Sequence, residues 1–247
     1  NHGAFLYGYG VFESILIKES WPCLLDEHIA RLCRSASYIN LSLSEAVDVA
    51  VLKKHIKILI EKNNVTHARL NIYYTAGKRD IGNLPFQFEN PELLAICRPF
   101  NPFIKHKPLK LGLVYTKYDR SPLDAHKTLN YMKPILDRQE RPECDDVIII
   151  DKRGAVLESS TANVFLVKGK TLITPEDGVI LPGVMREYIC KIAINLGFDV
   201  QRKLFKAEEL KNCDEIFLTN SLRGVIPVHS IDEGDCYLVE ASYEFQD

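Results

Sequence analysis

The stretch Val147-Ile-Ile-Ile-Asp-Lys-Arg-Gly-Ala-Val-Leu-Glu-Ser-Ser-Thr-Ala-Asn-Val-Phe-Leu-Val-Lys-Gly-Lys-Thr-Leu-Ile173 holds four short apolar runs broken by two glycine-bearing turns. Val147–Asp151 and Ala155–Leu157 flank Lys152-Arg153-Gly154, the pattern of a hairpin with its glycine in the turn. Val164–Val167 and Thr171–Ile173 repeat that pattern around Gly169. Two successive hairpins make this half of the chain rich in strands.

Reading outward, Leu111–Tyr115, Val200–Leu204 and Ile216–Thr219 are further strands, the last followed by a turn at Asn220-Ser221-Leu222-Arg223-Gly224. Pro134 opens a short helix to Arg141. Met185, Ile189, Ile192, Ala193 and Leu196 have helical spacing, with Gly197 as the stop. Toward the N-terminus, Val11–Ile17, Leu70–Thr75 and Leu93–Cys97 are strands. Ile29, Leu32, Cys33, Ala36 and Ile39 form one amphipathic helix, and Val49, Leu52, Ile56 and Leu59 a second, behind a capping-box pattern at Ser42 and Glu45. Three prolines lie within residues 99–108, a density that resists helix and central strand alike. The expected organisation is therefore α+β: a smaller N-terminal domain over 1–98, a linker over 99–108 and a larger C-terminal domain over 109–247.

Composition narrows the function classes. Of 247 residues, 46% are apolar and 26% charged, a globular balance. A net charge of −2 offers no field for nucleic acid or an acidic membrane. No apolar run is long enough to cross a bilayer, and no signal-peptide pattern is visible behind Asn1. The seven cysteines are odd in number and irregularly spaced, which reads as reduced thiols in a cytoplasmic protein. No cysteines or histidines sit at zinc-ligand spacing, so no metal site is expected.

Three segments carry chemistry, each with a plainer reading beside it. Leu181-Pro182-Gly183 precedes a helix whose free N–H groups suit a phosphate, yet taken alone it reads as a turn. Glu158 is followed by Ser159, Ser160, Thr161, Ala162 and Asn163, a polar pocket or a solvated hairpin end. Lys127 stands between structured segments, and a lysine attacks carbonyls only when unprotonated. Gly8-Tyr9-Gly10 lacks the third glycine and preceding strand of a dinucleotide fingerprint.

Their joint order changes the reading. Phe5-Leu-Tyr-Gly-Tyr-Gly-Val-Phe-Glu13, Leu25-Asp-Glu-His-Ile-Ala-Arg-Leu32, Lys127-Thr-Leu-Asn-Tyr131, Glu158-Ser-Ser-Thr-Ala-Asn-Val-Phe165, Leu181-Pro-Gly-Val-Met-Arg186 and Phe217-Leu-Thr-Asn-Ser-Leu-Arg-Gly-Val-Ile-Pro-Val228 together resemble the class IV aminotransferases. These are two-domain α+β enzymes of fold-type IV, the D-amino-acid aminotransferase-like architecture, which use pyridoxal 5′-phosphate (PLP). The family includes branched-chain and D-amino-acid aminotransferases and aminodeoxychorismate lyases. Its N-terminal strand, upstream of the first segment, is not in this sequence.

The resemblance implies roles. Lys127 would hold PLP covalently and move the substrate proton, and Glu158 would face the pyridine nitrogen. Arg31, the backbone of Val184 and Met185, and Ser221 would meet the phosphate, with Tyr131 and Thr161 near the ring. Phe12, Arg69, Leu222 and Arg223 would face the substrate. The D-amino-acid enzymes have tyrosine at the Phe12 position and an R-x-H clamp that Lys78-Arg79-Asp80-Ile81 does not reproduce, so L-amino acids are expected. Tyr131 and Arg69 match the branched-chain enzymes, whereas the Asn220–Gly224 turn looks closer to the lyases. The implied function is transamination between an apolar or branched-chain L-amino acid and a 2-oxo acid. Aminodeoxychorismate lyase, releasing pyruvate and 4-aminobenzoate, is the alternative, and a non-catalytic relative the third reading. A homodimer is implied by the family.

Overall fold

The computed structural model describes residues 2–41, 43, 47–78, 91–102, 107–232, 234, 237 and 245. The chain forms two compact units, residues 1–104 with 126–130 and residues 105–125 with 131–247.

In the first unit a short helix, α1 (Gly3–Tyr7), leads into β1 (Gly10–Lys18). Because side chains alternate along a strand, β1 buries Val11, Glu13, Ile15 and Ile17 on one face. β1 pairs antiparallel with the two-residue β2 (Trp21–Pro22) and with β3 (Ala68–Thr75), and β3 with β4 (Glu92–Pro99). The sheet order is β2-β1-β3-β4. α2 (Leu25–Tyr38) contributes Ile29, Leu32 and Ala36 to the core, and α3 (Val49–Asn63) contributes Leu52, Ile56 and Ile60. Leu59, expected on the buried face of α3, is half-buried, and Ile60 holds the core position. Ser42 and Glu45 lie outside the described residues. The cap of α3 is Asp48, whose carboxylate accepts from Ala50 N at 2.7 Å and Val51 N at 3.4 Å.

The second unit is built on a larger sheet, in which the described strands run β10-β9-β8-β11-β12-β5-β6-β7. These are β5 (Leu109–Tyr115), β6 (Asp146–Ile150), β7 (Val156–Ser159), β8 (Asn163–Lys168), β9 (Thr171–Thr174), β10 (Asp199–Arg202), β11 (Glu215–Asn220) and β12 (Gly224–Ile231). Both hairpins read from the opening stretch form, β6 with β7 and β8 with β9. Their turns need left-handed backbone at Gly154 (φ 80°) and Gly169 (φ 56°), which glycine adopts without steric cost. α4 (Met132–Gln139) follows the first strand, and α5 (Val184–Asn195) covers one sheet face. Val164, Leu166, Ile216 and Leu218 point to one core; Phe165, Val167 and Phe217 point to the other, against Ile189 and Ala193 of α5. Burial on both faces explains why these strands read as continuous apolar runs. Fully buried Arg186 ties α5 to the sheet, with Nε 3.2 Å from Thr174 Oγ1 and Nη1 2.8 Å from Asp177.

The expectation that ended at the Asn220–Gly224 turn missed β12. Pro227 hides this strand, since proline lacks the ladder N–H. The structure accommodates it at a hand-over: Pro227 is the last partner of β11, opposite Phe217, and Val228 the first partner of β5, opposite Leu109.

Candidate active site

In the first unit a carboxylate occupies a core position of β1. Glu13 is fully buried, and Arg31 of α2 meets it with Nε at 2.8 Å and Nη2 at 2.7 Å. His28 Nδ1 lies 2.7 Å from the same carboxylate. Burial pushes the Glu13 carboxyl up, but the Arg31 and His28 charges and hydrogen bonds outweigh it and hold it at about 2. A paired guanidinium at 4% exposure costs far less than an unpaired one, so Glu13 fixes the direction of the Arg31 fork.

Lys127 belongs to the five-residue piece 126–130 that packs with this unit. β2 covers β1 only at Ile17 and Lys18, and Lys127–Leu129 uses the opposite end of that edge. Phe12 N donates to Lys127 O at 3.0 Å, Leu129 N to Gly10 O at 3.0 Å, and Val11 bridges to Thr128. Lys127 N also donates to Ser35 Oγ of α2 at 3.3 Å, one turn beyond Arg31. Nζ of Lys127 lies 4.5 Å from the centroid of the Phe12 ring, itself stacked on Tyr73 at 5.9 Å. Here Gly8-Tyr9-Gly10 finds its reason. A Cβ at Gly8 would meet Asn130 Oδ1 at 2.6 Å, and one at Gly10 would meet Tyr74 O at 2.8 Å and Leu129 Cδ1 at 2.9 Å. The glycines admit the lysine segment. Arg69 stands four positions from Tyr73 along β3, with Nε 2.6 Å from Asn71 Oδ1. Arg79, Asp80 and Ile81 lie outside the described residues.

The second unit places Glu158 on β7, half-buried, with both oxygens engaged. Arg120 Nη2 donates to Oε1 at 2.8 Å and the Leu181 N–H to Oε2 at 3.1 Å. Sequence reading missed Arg120, which stands outside any strand or helix and has no periodic signal. Beyond Leu181, α5 begins at Gly183 with no side-chain cap among the described residues, so the N–H groups of its first turn, Val184 and Met185 included, have no capping side chain. Asn163 Nδ2 donates to Leu181 O at 2.9 Å, and a Cβ on Gly183 would lie 1.9 Å from Asn163 Oδ1. Thr219, the cross-strand partner of Asn163, is buried, and its Oγ1 has no hydrogen-bond partner among the described residues. Thr161 is exposed in the β7–β8 turn, which Ser159 Oγ closes by accepting from Ala162 N at 2.9 Å. Tyr131 sits at the start of α4, and Ser221, Leu222 and Arg223 form the β11–β12 turn. Among the described residues no group of three or more His, Cys, Asp or Glu could hold a metal, and no helix is long and apolar enough to cross a membrane.

The donor set of the second unit suits PLP. An uncapped helix start, where a Cβ on Gly183 would meet Asn163 Oδ1, can receive a phosphate. A carboxylate held by two fixed donors can face the ring nitrogen.

Comparison with known proteins gives the same answer. The model of amino-transferase class IV matches residues 10–231. The chain is 33% identical to aminodeoxychorismate lyase of Bacillus subtilis over 242 residues, 94% of this chain and 80% of the relative. It is 28% identical to the branched-chain-amino-acid aminotransferase of Escherichia coli over 252 residues, 94% of this chain and 81% of that one. The solved structure of the Escherichia coli branched-chain amino acid aminotransferase superposes with a TM-score of 0.88 at 25% identity, covering 99% of this chain and 85% of that chain. The protein is therefore a member of the class IV aminotransferase family, PLP enzymes of fold-type IV.

Proposed function

We propose that this enzyme transfers an amino group between an L-amino acid, apolar or branched-chain side chains favoured, and a 2-oxo acid, with PLP held on Lys127. The observation that carries this reading is the seat of Lys127. Three hydrogen bonds fix the lysine's backbone and its neighbours, and the amine rests over an apolar ring, Phe12. Bound PLP supplies an electron-accepting ring that stabilises negative charge at the substrate Cα. Lys127 Nζ holds the cofactor, then takes the proton from the substrate Cα. Glu158 keeps the ring nitrogen protonated by its charge. Arg31, oriented by Glu13, and the first turn of α5 with Ser221 hold the phosphate. Tyr131 and Thr161 border the ring, while Phe12, Arg69 and the backbone of Leu222 face the substrate. We take residues 99–108 as the linker between the two units.

A second reading, aminodeoxychorismate lyase, is favoured by the relative of that name and by the charged Arg223 in the β11–β12 turn. Both reactions begin with the same proton removal, so they differ in the fate of the electrons. The deciding experiment adds an L-amino acid without any 2-oxo acid. A transaminase loses the visible band of bound PLP in one turnover and regains it with 2-oxoglutarate. Pyruvate release from aminodeoxychorismate, with no such half-reaction for any L-amino acid, would promote the lyase. A protein without a visible PLP band would be a non-catalytic relative.

The described cysteines are free thiols, which supports a reducing, cytoplasmic setting. A homodimer is inferred from family likeness, supported by exposed Phe5 and Leu6 on α1, and sedimentation equilibrium tests it.

A further inference from the structure

His126, the residue before Lys127, lies face to face with a tyrosine of α2. Its ring stacks on Tyr38 with centroids 4.0 Å apart and planes 18° from parallel. Tyr38 is the last residue of α2, and the hydroxyl of Tyr9 donates to the carbonyl of Ile39, the cap that follows it. The platform beneath His126 is thereby tied to the segment that leads into β1. Burial, and then the charge of Arg34, push the His126 imidazole below its ordinary range, so at neutral pH it stacks as an uncharged ring.

The stack lies where the chain enters the lysine segment. Residues 126–130 pack with the first unit, while 125 and 131 belong to the second. From Lys127 O onward the segment is gripped by β1, through Phe12, Val11 and Gly10. Upstream it is α2 that meets it: Ser35 Oγ accepts from Lys127 N at 3.3 Å, and Tyr38 carries the His126 ring. Thr128 N donates to His126 O at 2.9 Å, closing a three-residue turn with Lys127 at its apex. A rotation of His126 therefore redirects the Lys127 side chain, while β1 keeps the later residues in place. Arg31, Ser35 and Tyr38 stand at i, i+4 and i+7, one stripe of α2 about 10 Å long. One helix thus sets both the guanidinium proposed for the phosphate and the turn that bears the amine.

We infer that Tyr38 is a positioning residue for Lys127: through the His126 ring it sets the direction from which the amine reaches the cofactor. This rests on the proposed function, in which Lys127 holds PLP. The step it governs is the condensation of the Nζ amine with the PLP aldehyde, in which a C=N bond replaces C=O and the oxygen leaves as water. Noncovalent binding through the phosphate does not pass through this stack.

The test mixes the full chain, stripped of cofactor, with PLP or with pyridoxamine 5′-phosphate, which has the same phosphate and ring but no aldehyde. In Tyr38→Leu the visible band of lysine-bound PLP should form about 3- to 10-fold more slowly, the worth of one aromatic pair read as a rate. Affinity for pyridoxamine 5′-phosphate should stay within about twofold of wild type, and Tyr38→Phe, which keeps the ring, should match wild type with both ligands. Tyr38 is exposed, so its replacement leaves the core of the unit untouched, and His126→Leu gives an independent reading that should repeat the slowing. The double variant should be no slower than either single one, because the two rings act as one unit. Unchanged band formation in the single variants overturns the inference. So does additive slowing in the double variant, or an equal loss of both ligands with a lowered melting temperature. A wild type that yields no borohydride-trapped adduct on Lys127 overturns the functional reading and this inference with it. An adduct in the wild type, formed as fast in the variants, overturns this inference alone.

Discussion

The Arg120 guanidinium donates to the Glu158 carboxylate at 2.8 Å, so the group we propose for the pyridine nitrogen has its own fixed counter-ion. A backbone N–H from Leu181 holds the second oxygen at 3.1 Å, so the carboxylate is positioned before any ligand enters. In the proposed function the charge of this group, rather than its shape, keeps the ring nitrogen protonated.

Glu158→Gln keeps the shape and removes the charge. We expect an unchanged circular dichroism spectrum, PLP still bound, and turnover lowered about 100-fold or more, the scale of losing one fixed electrostatic contact. Turnover within about threefold of wild type would reduce Glu158 to a hairpin residue.

Lys127→Ala should abolish the cofactor adduct that borohydride traps, read by peptide mass spectrometry. Stability should change little, because the contact of Nζ with Phe12 contributes only about 0.5–1 kcal/mol. An adduct on another lysine, with turnover preserved, would move the catalytic centre elsewhere.

Glu13 links stability to acid. Its carboxyl titrates at about 2 in the fold against 4.5 for the free group, a depressed value. The pair therefore contributes fully above pH 4.5, and that contribution is lost as pH falls from there toward 2. Urea unfolding of the apo-protein should show this acid limb, and Glu13→Gln should flatten it. The variant should also lose about 3–5 kcal/mol at neutral pH, because Arg31 is left buried without its counter-ion. An unaltered limb would show that the pair does not govern acid stability.

Gly183→Ala tests the phosphate seat. The backbone at Gly183 is ordinary (φ −67°), so the obstacle is the 1.9 Å approach of Asn163 Oδ1 to the new methyl. We expect a stability cost of about 1–3 kcal/mol from overpacking. Displacement of the helix start should also weaken PLP affinity about tenfold or more, the loss of a single ionic contact. Fluorescence titration of the apo-protein with PLP measures this, and unchanged affinity would remove the start of α5 from the phosphate site.

Much of the fold was legible because local rules decide it. The hairpins over 147–173 form where alternating apolar runs meet glycine turns, and α2, α3 and α5 follow three- and four-residue spacing. β12 was not legible, because Pro227 contradicts a strand locally and only the hand-over between β11 and β5 makes it acceptable. The Asp48 cap of α3 was passed over because an aspartate before an apolar run is a common pattern, and the pattern at Ser42 and Glu45 lies outside the described residues.

The sequence by itself determined the residue types, their order and the class of chemistry: a lysine, a carboxylate, an arginine and an uncapped helix start. Tertiary structure alone decided their partners. Nothing local could show that Glu13 spends a core position on Arg31, that Arg120 answers Glu158, or that residues 126–130 leave their flanking segments to pack on β1 and α2. Nor could it show that Arg223 Nε has no hydrogen-bond partner among the described residues. The physical reason is range: hydrogen bonding and periodicity act over a few residues and are written in the chain, whereas pairing of buried charges joins groups dozens of positions apart and exists only once the backbone has closed around them.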